Sequence, residues 1–163
     1  MSEVRRNYPG LPPLGGWYTE EEIDTVVACM RDSMDWRKGF GGPEIGEFEA
    51  AFADYCRVKH AIAVNSCGTG LDISMMCLDL EPGDEVISPA ITFKATHQAI
   101  LGQGGKLVLC EIDPATMNLD PADVAARMTK RTRAILAVHN NGLSADMDAL
   151  QAVVEAHPHP NHG

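Results

Sequence analysis

The chain has no apolar run approaching the roughly 20 residues that cross a bilayer, and its opening, MSEVRRNYPGLPPL, lacks the apolar stretch of a signal peptide. A cytoplasmic protein without a membrane partner is the expectation. No C-x-x-C pair occurs, and the five cysteines (Cys29, Cys56, Cys67, Cys77, Cys110) are odd in number. Neither a disulfide framework nor a zinc site is indicated, and no metal is expected. Cys29 and Cys77 fall in helical patterns and Cys110 in a strand pattern, which reads them as small buried hydrophobes. Cations are in short supply: 13 Lys and Arg against 23 Asp and Glu give a formal net charge of -10. That balance argues against nucleic acid as a partner, since a phosphate backbone is met by clustered Lys and Arg. It does not exclude one small phosphate held by backbone amides at a helix start. Neither a Walker A loop nor G-x-G-x-x-G is present, and no internal repeat or low-complexity tract appears.

What is present is ordinary globular composition, 45% apolar and 22% charged, arranged in alternating patterns. Residues 1–18 are rich in Pro and Gly and read as an irregular arm. Thr19 and Glu22 form a capping box, followed by an apolar stripe at Ile23, Val26, Val27 and Met30 that predicts a helix to about Met34. After the loop WRKGFGGP, Pro43 suits the first turn of a second helix, with Ile45, Phe48, Phe52 and Tyr55 as its buried face. From His60 strands and helices alternate. HAIAV reads as a buried strand, NSCGTG as a turn and LDISMMCLDL as a helix. VISPA, KLVLCEI and RAILAVH read as further strands. Helices are predicted within TFKATHQAILGQ, from Pro121 (capped by Asp120) to about Met128, and along SADMDALQAVVEAH. Short connections between near-continuous apolar strands predict an α/β fold, a mainly parallel sheet with helices on both faces. No domain boundary shows between residues 19 and 163. After the last helix the alternation calls for another strand.

HAIAVNSCGTGLDISMM is the most informative segment. A strand, then a tight turn with Ser66, Cys67, Gly68, Thr69 and Gly70, then a helix, places free N–H groups and a positive helix end at the C-terminal edge of a sheet, where ligands of this fold class bind. Gly68 permits close backbone approach, and Thr69 or Ser66 can add a hydroxyl. An ordinary strand-to-helix turn with a Ser or Thr cap is an equally good reading of the turn alone.

Taken in order, FGGPEIGEFEAAFADYCRVKHAIAVNSCGTGLDI, EPGDEVISPAITFKATHQAI, GGKLVLCEIDPATMNLD and TRAILAVHNNGLSADMDAL resemble the DegT/DnrJ/StrS family of fold-type-I pyridoxal-phosphate (PLP) aminotransferases. The resemblance runs from about Thr19 to Leu150 and makes residues 19–163 the N-terminal part of the family's large domain. It implies PLP as cofactor. SCGTGLD departs from the more usual S-G-T-A-A-L, so Cys67, Gly68 and Thr69 are all carried as phosphate-loop candidates. Phe93 matches the aromatic that stacks on the pyridine ring, where core packing is the competing reading. His139 matches a position near the cofactor, where a structural histidine bonded to backbone is the alternative. Gly41 and Gly42 match a glycine-rich stretch that reaches the active site across a dimer interface.

The Schiff-base lysine and the acid that pairs with the pyridinium nitrogen follow the helix at Ser144–His157 in the family, and neither is expected in these 163 residues. No catalytic residue is therefore assigned, and the chain alone is expected to be inactive. Lys94, beside Phe93, is read as solvent-facing or phosphate-side, and the HPHPNH tail as a plain loop. The resemblance implies transfer of an amino group from glutamate or glutamine to a keto sugar, sugar nucleotide or cyclitol ketone, by a homodimer. Two other readings stand beside it: a non-catalytic α/β module binding a phosphate or a partner, and a PLP-dependent sugar dehydratase of the same superfamily.

Overall fold

The computed structural model describes residues 18–38 and 42–157. The arm before Tyr18, Gly41 and the His-Pro tail beyond His157 lie outside the described residues. The chain divides into two compact units, one ending at Ala63 and the other beginning at Val64. No composition shift marks that division in the sequence.

The first unit holds α1 (Glu20–Ser33) and α2 (Pro43–Cys56). Local chemistry sets their ends. Thr19 accepts from the Glu22 N–H while the Glu22 carboxylate takes the Thr19 N–H, so two otherwise unpaired donors are satisfied reciprocally. The bonds to Thr19 hold the Glu22 carboxyl below its ordinary pKa. Pro43 opens α2, and Arg57 closes it in the left-handed region at φ 55°. The Cys29 thiol meets Glu44 at 3.4 Å, and the Ala63 N–H donates to Glu49 at 2.7 Å. The apolar stripe of α2 is not the buried face its spacing suggests. Ile45, Phe48, Phe52 and Tyr55 are all exposed, and Ala53 is the buried residue of that helix. Two helices offer each other too little apolar surface to cover two stripes.

The second unit is a three-stranded sheet with four helices: α3 (Cys67–Met76), β1 (Glu85–Pro89), α4 (Lys94–Gly102), β2 (Lys106–Cys110), α5 (Pro121–Arg127), β3 (Thr132–Ile135) and α6 (Met147–Ala156). The strand order is β2-β1-β3, and both pairings are parallel. Alternating side chains of β1 feed two cores. Val86 packs with Met75, Ala99 and Ile100 from α3 and α4. Ile87 packs with Cys110, Leu119, Val124, Ala145 and Leu150 on the α5 and α6 side. Helices thus cover both faces, as the sequence patterning predicts.

Two strands differ from expectation. His60–Val64 forms no strand and joins no ladder among the described residues, and Ile62 is 80% exposed. A strand needs a neighbour to take its N–H and C=O groups, and the three described strands pair only with one another. β3 stops at Ile135 instead of running to His139. Its last bond to β1 is Leu136 N–H to the Ile87 carbonyl at 2.8 Å. The next β1 donor in register would be Pro89, which has no N–H. Of the cysteines read as buried, only Cys110 is. Cys29 is half-buried, and Cys77 is exposed just past α3.

The N-terminal edge of the sheet is fastened by charge. Glu85 is buried and accepts from Lys106 Nζ at 2.8 Å and from the Thr129 hydroxyl. Those two bonds hold its carboxyl below the ordinary glutamate value. Arg131 donates to the carbonyls of Gly83 and Pro82, gripping a turn in which Gly83 sits at φ 95°. On the far face, Asp123 pairs with Arg127 and accepts from the Glu111 N–H, which lowers its carboxyl to about 2. Burial and Asp123 together push the Cys110 thiol up to about 12.

Because the pKa of Glu85 is depressed in the fold, its stabilisation is fully present above the ordinary carboxylate range and lost as pH falls through the lower folded value. Glu85→Gln should lower stability at neutral pH by about 1.5–3 kcal/mol and flatten the acid limb. Denaturant unfolding across about pH 3–7 reads both. An acid limb as steep as that of the parent chain would count against this role for Glu85.

Candidate functional site

Parallel strands put all their C-terminal ends on one edge, and the loops leaving that edge carry the chemistry. Phe93 follows β1 and His139 follows β3. α3 ends at Met76 and the loop of residues 77–84 leads to the start of β1, which directs its N-terminus toward the same edge.

The turn into α3 is built from side chains. Ser66 is the N-cap and accepts from the Thr69 N–H at 3.2 Å. The Thr69 hydroxyl donates to Asn65 Oδ1 at 2.6 Å and lies 3.1 Å from Ser66 Oγ. With the Thr69 proton given to Asn65, the remaining bond must run from Ser66 to Thr69. Both hydroxyl protons are therefore used inside the turn, so the expectation that Ser66 or Thr69 offers a spare donor needs a rotated hydroxyl. The N–H groups of Cys67 and Gly68 find no acceptor among the described residues. They are first-turn donors at the positive end of a ten-residue helix. Cys67 is exposed, Gly68 and Thr69 half-buried. A Cβ on Gly68 would touch only Ser66 Oγ, at 3.6 Å. The protein itself leaves room there.

Phe93 is the N-cap residue of α4 and is 74% exposed, so the core-packing reading of its ring fails. Its backbone is held from beneath. His97 Nε2 donates to the Pro89 carbonyl at 3.0 Å, and the hydroxyls of Thr92 and Thr96 pair at 2.9 Å. Lys94, next in line, is exposed.

His139 stands at the start of a 3-10 turn and is itself exposed. Its Nδ1 accepts from the Ala145 N–H at 3.0 Å. The backbone-bonded reading is thus correct for one nitrogen, while Nε2 has no partner among the described residues. Beside this turn lies a cavity of about 350 Å³ whose lining includes Asp113, Thr116, Asn118, Asp120, Ser144 and Asp146. Its carboxylates bond to backbone: Asp113 to Ala115 N–H, Asp120 to Ala122 N–H and Asp146 to Ala149 N–H. Among the described residues no group of three His, Cys, Asp or Glu gathers to hold a metal, and no described helix is long and apolar enough to cross a membrane.

Sequence reasoning passed over Asn65, His97 and Asn118. Asn65 lies in the recognised turn and could have been read from its spacing to Thr69. His97 sits on a helix face without distinction, and the partners of Asn118 are 22 and 25 residues away.

The model of the DegT/DnrJ/EryC1/StrS aminotransferase family matches residues 18–159. The chain is 41% identical over 157 residues to GDP-perosamine synthase of Caulobacter vibrioides, covering 96% of this chain and 40% of that protein. Among solved structures, DesV from S. venezuelae superposes with a TM-score of 0.76 at 40% identity, over 85% of this chain and 36% of that one. The PLP form of a putative sugar aminotransferase from Streptococcus pneumoniae gives 0.77 at 31% identity, over 86% and 35%. The chain therefore spans well under half the length of these relatives.

The turn makes a separable prediction about stability. Ser66→Ala should cost about 1 kcal/mol by removing the N-cap. Gly68→Ala should leave stability unchanged or raise it by up to about 1 kcal/mol, since the added methyl meets only an ordinary contact with Ser66 Oγ. Thermal melts of the two variants check this, and a destabilised Gly68→Ala would mean the turn is tighter than described.

Proposed function

Because the chain belongs to the DegT/DnrJ/EryC1/StrS aminotransferase family, we propose that residues 19–163 are the phosphate- and ring-binding part of a PLP-dependent aminotransferase. The observation that carries the reading is the pair of unsatisfied N–H groups at Cys67 and Gly68, on a helix end with room above Gly68. A phosphate supplies the missing acceptors and is favoured by the helix dipole.

The residues present fit the cofactor. Cys67 and Gly68 bind the phosphate through backbone N–H, and Thr69 joins them by turning its hydroxyl away from Asn65. The exposed face of Phe93 covers one side of a flat ring and shields it from water. His139, with Nδ1 engaged by Ala145, offers an Nε2–H donor. When bound, PLP supplies an electron-withdrawing ring that carries the amino group between donor and acceptor. By the family resemblance the anchoring lysine follows the helix at Ser144–His157, so none of the five lysines of the chain is assigned that role, and Lys94 is exposed.

The relatives point to the substrate class. GDP-perosamine synthase and the sugar aminotransferases carry sugar names, so a keto sugar or sugar nucleotide is the acceptor we assign to the whole protein. A cyclitol ketone is the other member of the class, and glutamate or glutamine the amino donor. A homodimer working in the cytoplasm completes the reading.

Equilibrium dialysis of the 163-residue chain against PLP, with inorganic phosphate as competitor, tests the assignment. PLP should be retained and displaced by phosphate. Phe93→Ala should weaken retention by about 2–10-fold, and Gly68→Ala should weaken it without loss of fold. Borohydride treatment should trap no lysine, and the chain alone should transfer no amino group. Equal affinity for PLP and phosphate would favour a simple phosphate-binding module, and an adduct trapped at Lys94 would overturn the role given to that residue.

A further inference from the structure

We infer that Asn118 is a positioning residue for His139: its amide clamps the turn that brings the Ala145 N–H onto His139 Nδ1 and so aims Nε2–H at the ligand-binding edge. The inference rests on the cofactor-side role proposed for His139 and extends it to a residue that touches neither cofactor nor substrate.

Asn118 is 3% exposed, and a buried amide is tolerated only when its polar atoms are paired. Both halves are. Oδ1 accepts from the Asn140 N–H at 2.8 Å, and Nδ2 donates to the Leu143 carbonyl at 3.0 Å. One partner can only donate and the other can only accept, so the orientation of the amide is fixed by chemistry. Asn118 is itself held. Its carbonyl accepts from Asp113 N–H at 2.9 Å, and its N–H donates to the Thr116 hydroxyl at 3.3 Å, while Ile112 bridges to Leu119. The clamp therefore belongs to a braced loop between β2 and α5 and reaches across to the loop between β3 and α6.

The clamped turn needs holding. Asn141 at φ 52° and Gly142 at φ 81° are two successive left-handed residues. For Asn141, of a residue type that tolerates this region better than other non-glycine residues, the conformation still carries a cost that the surrounding bonds offset. The turn's own bonds, Gly142 N–H to the His139 carbonyl and Leu143 N–H to the Asn140 carbonyl, are 3.1 and 3.0 Å. Asn118 grips Asn140 and Leu143, the residues bracketing the left-handed pair. The reversal they enforce folds Ala145 back onto the imidazole. An acceptor at Nδ1 puts the proton of the neutral ring on Nε2. Asn118 therefore sets both the direction of the imidazole and the donor it presents.

Three measurements on the 163-residue chain test this. In the parent chain the amides of Asn140 and Ala145 should exchange slowly and together, since one clamp protects both. Fast exchange at Ala145 beside a protected Asn140 would overturn the proposal without any variant. In Asn118→Ala, and to a lesser extent in Asn118→Asp, which keeps the acceptor for Asn140 and drops the donor to Leu143, Ala145 should lose protection. The ¹⁵N signal of His139 Nδ1 should shift away from its hydrogen-bonded position. Thr129→Val, which removes a bond to Glu85 at the opposite edge of the sheet, should destabilise the chain and leave that signal in place. A shift of equal size in Thr129→Val would reduce Asn118 to general stability.

The third measurement is a double-mutant cycle on PLP retention. Asn118→Ala and His139→Ala should weaken it equally, and the double variant should be no weaker than His139→Ala, within about twofold. Additive losses would show that Asn118 acts other than through His139. If His139→Ala leaves PLP retention unchanged, the cofactor-side role of His139 fails, while the amide exchange and the ring nitrogen still decide whether Asn118 positions it.

Discussion

β1 carries side chains into two cores at once, and the order of the second unit depends on that double burial. Val86 ties the sheet to α3 and α4, and Ile87 ties it to the α5 and α6 side. Both neighbours in the sheet pair with β1 and not with each other. Its ends are specialised too. Glu85 anchors Lys106 and Thr129 at the N-terminal edge, and Pro89 ends the pairing with β3 at the C-terminal edge by having no N–H to give. A central strand buried on both faces leaves polar work to its two ends, and the ends divide it: ionic fastening at one, loops free to bind at the other.

At the C-terminal edge of the sheet, each group proposed to meet a ligand is held by residues of its own segment, and Asn118 alone reaches across from another loop. Cys67 and Gly68 offer bare N–H groups because Ser66, Thr69 and Asn65 satisfy one another. Phe93 can stand exposed because His97 and the Thr92–Thr96 pair hold its turn from below. Ala145 takes one nitrogen of His139, and the other has no partner among the described residues. In each case an internal hydrogen-bond network leaves a group uncovered or without a partner among the described residues, and that remainder is what the proposed cofactor contacts draw on.

Much of this was legible in local sequence because local chemistry decides it. The Thr19–Glu22 box, Pro43 at the start of α2 and Asp120 before α5 mark helix starts through bonds spanning two or three residues. Four strand patterns were visible, and three of them pair. Where patterning misled, the reason was a missing neighbour. The period of Ile45, Phe48, Phe52 and Tyr55 is that of a buried face, yet nothing within the first unit covers it. HAIAV has the composition of a buried strand and no ladder to join.

The sequence by itself determined the α/β alternation, the helix caps, the family and the strand-to-helix segment from Asn65 to Gly70 as the phosphate-loop candidate, because each rests on residues close together in the chain. Only the tertiary structure decided which donors in that segment remain free, that Phe93 faces outward, and that Asn118 controls the turn at His139. Those outcomes depend on who is left to bond with whom after the chain has folded. The partners of Asn118 come from a different loop, where no spacing rule reaches.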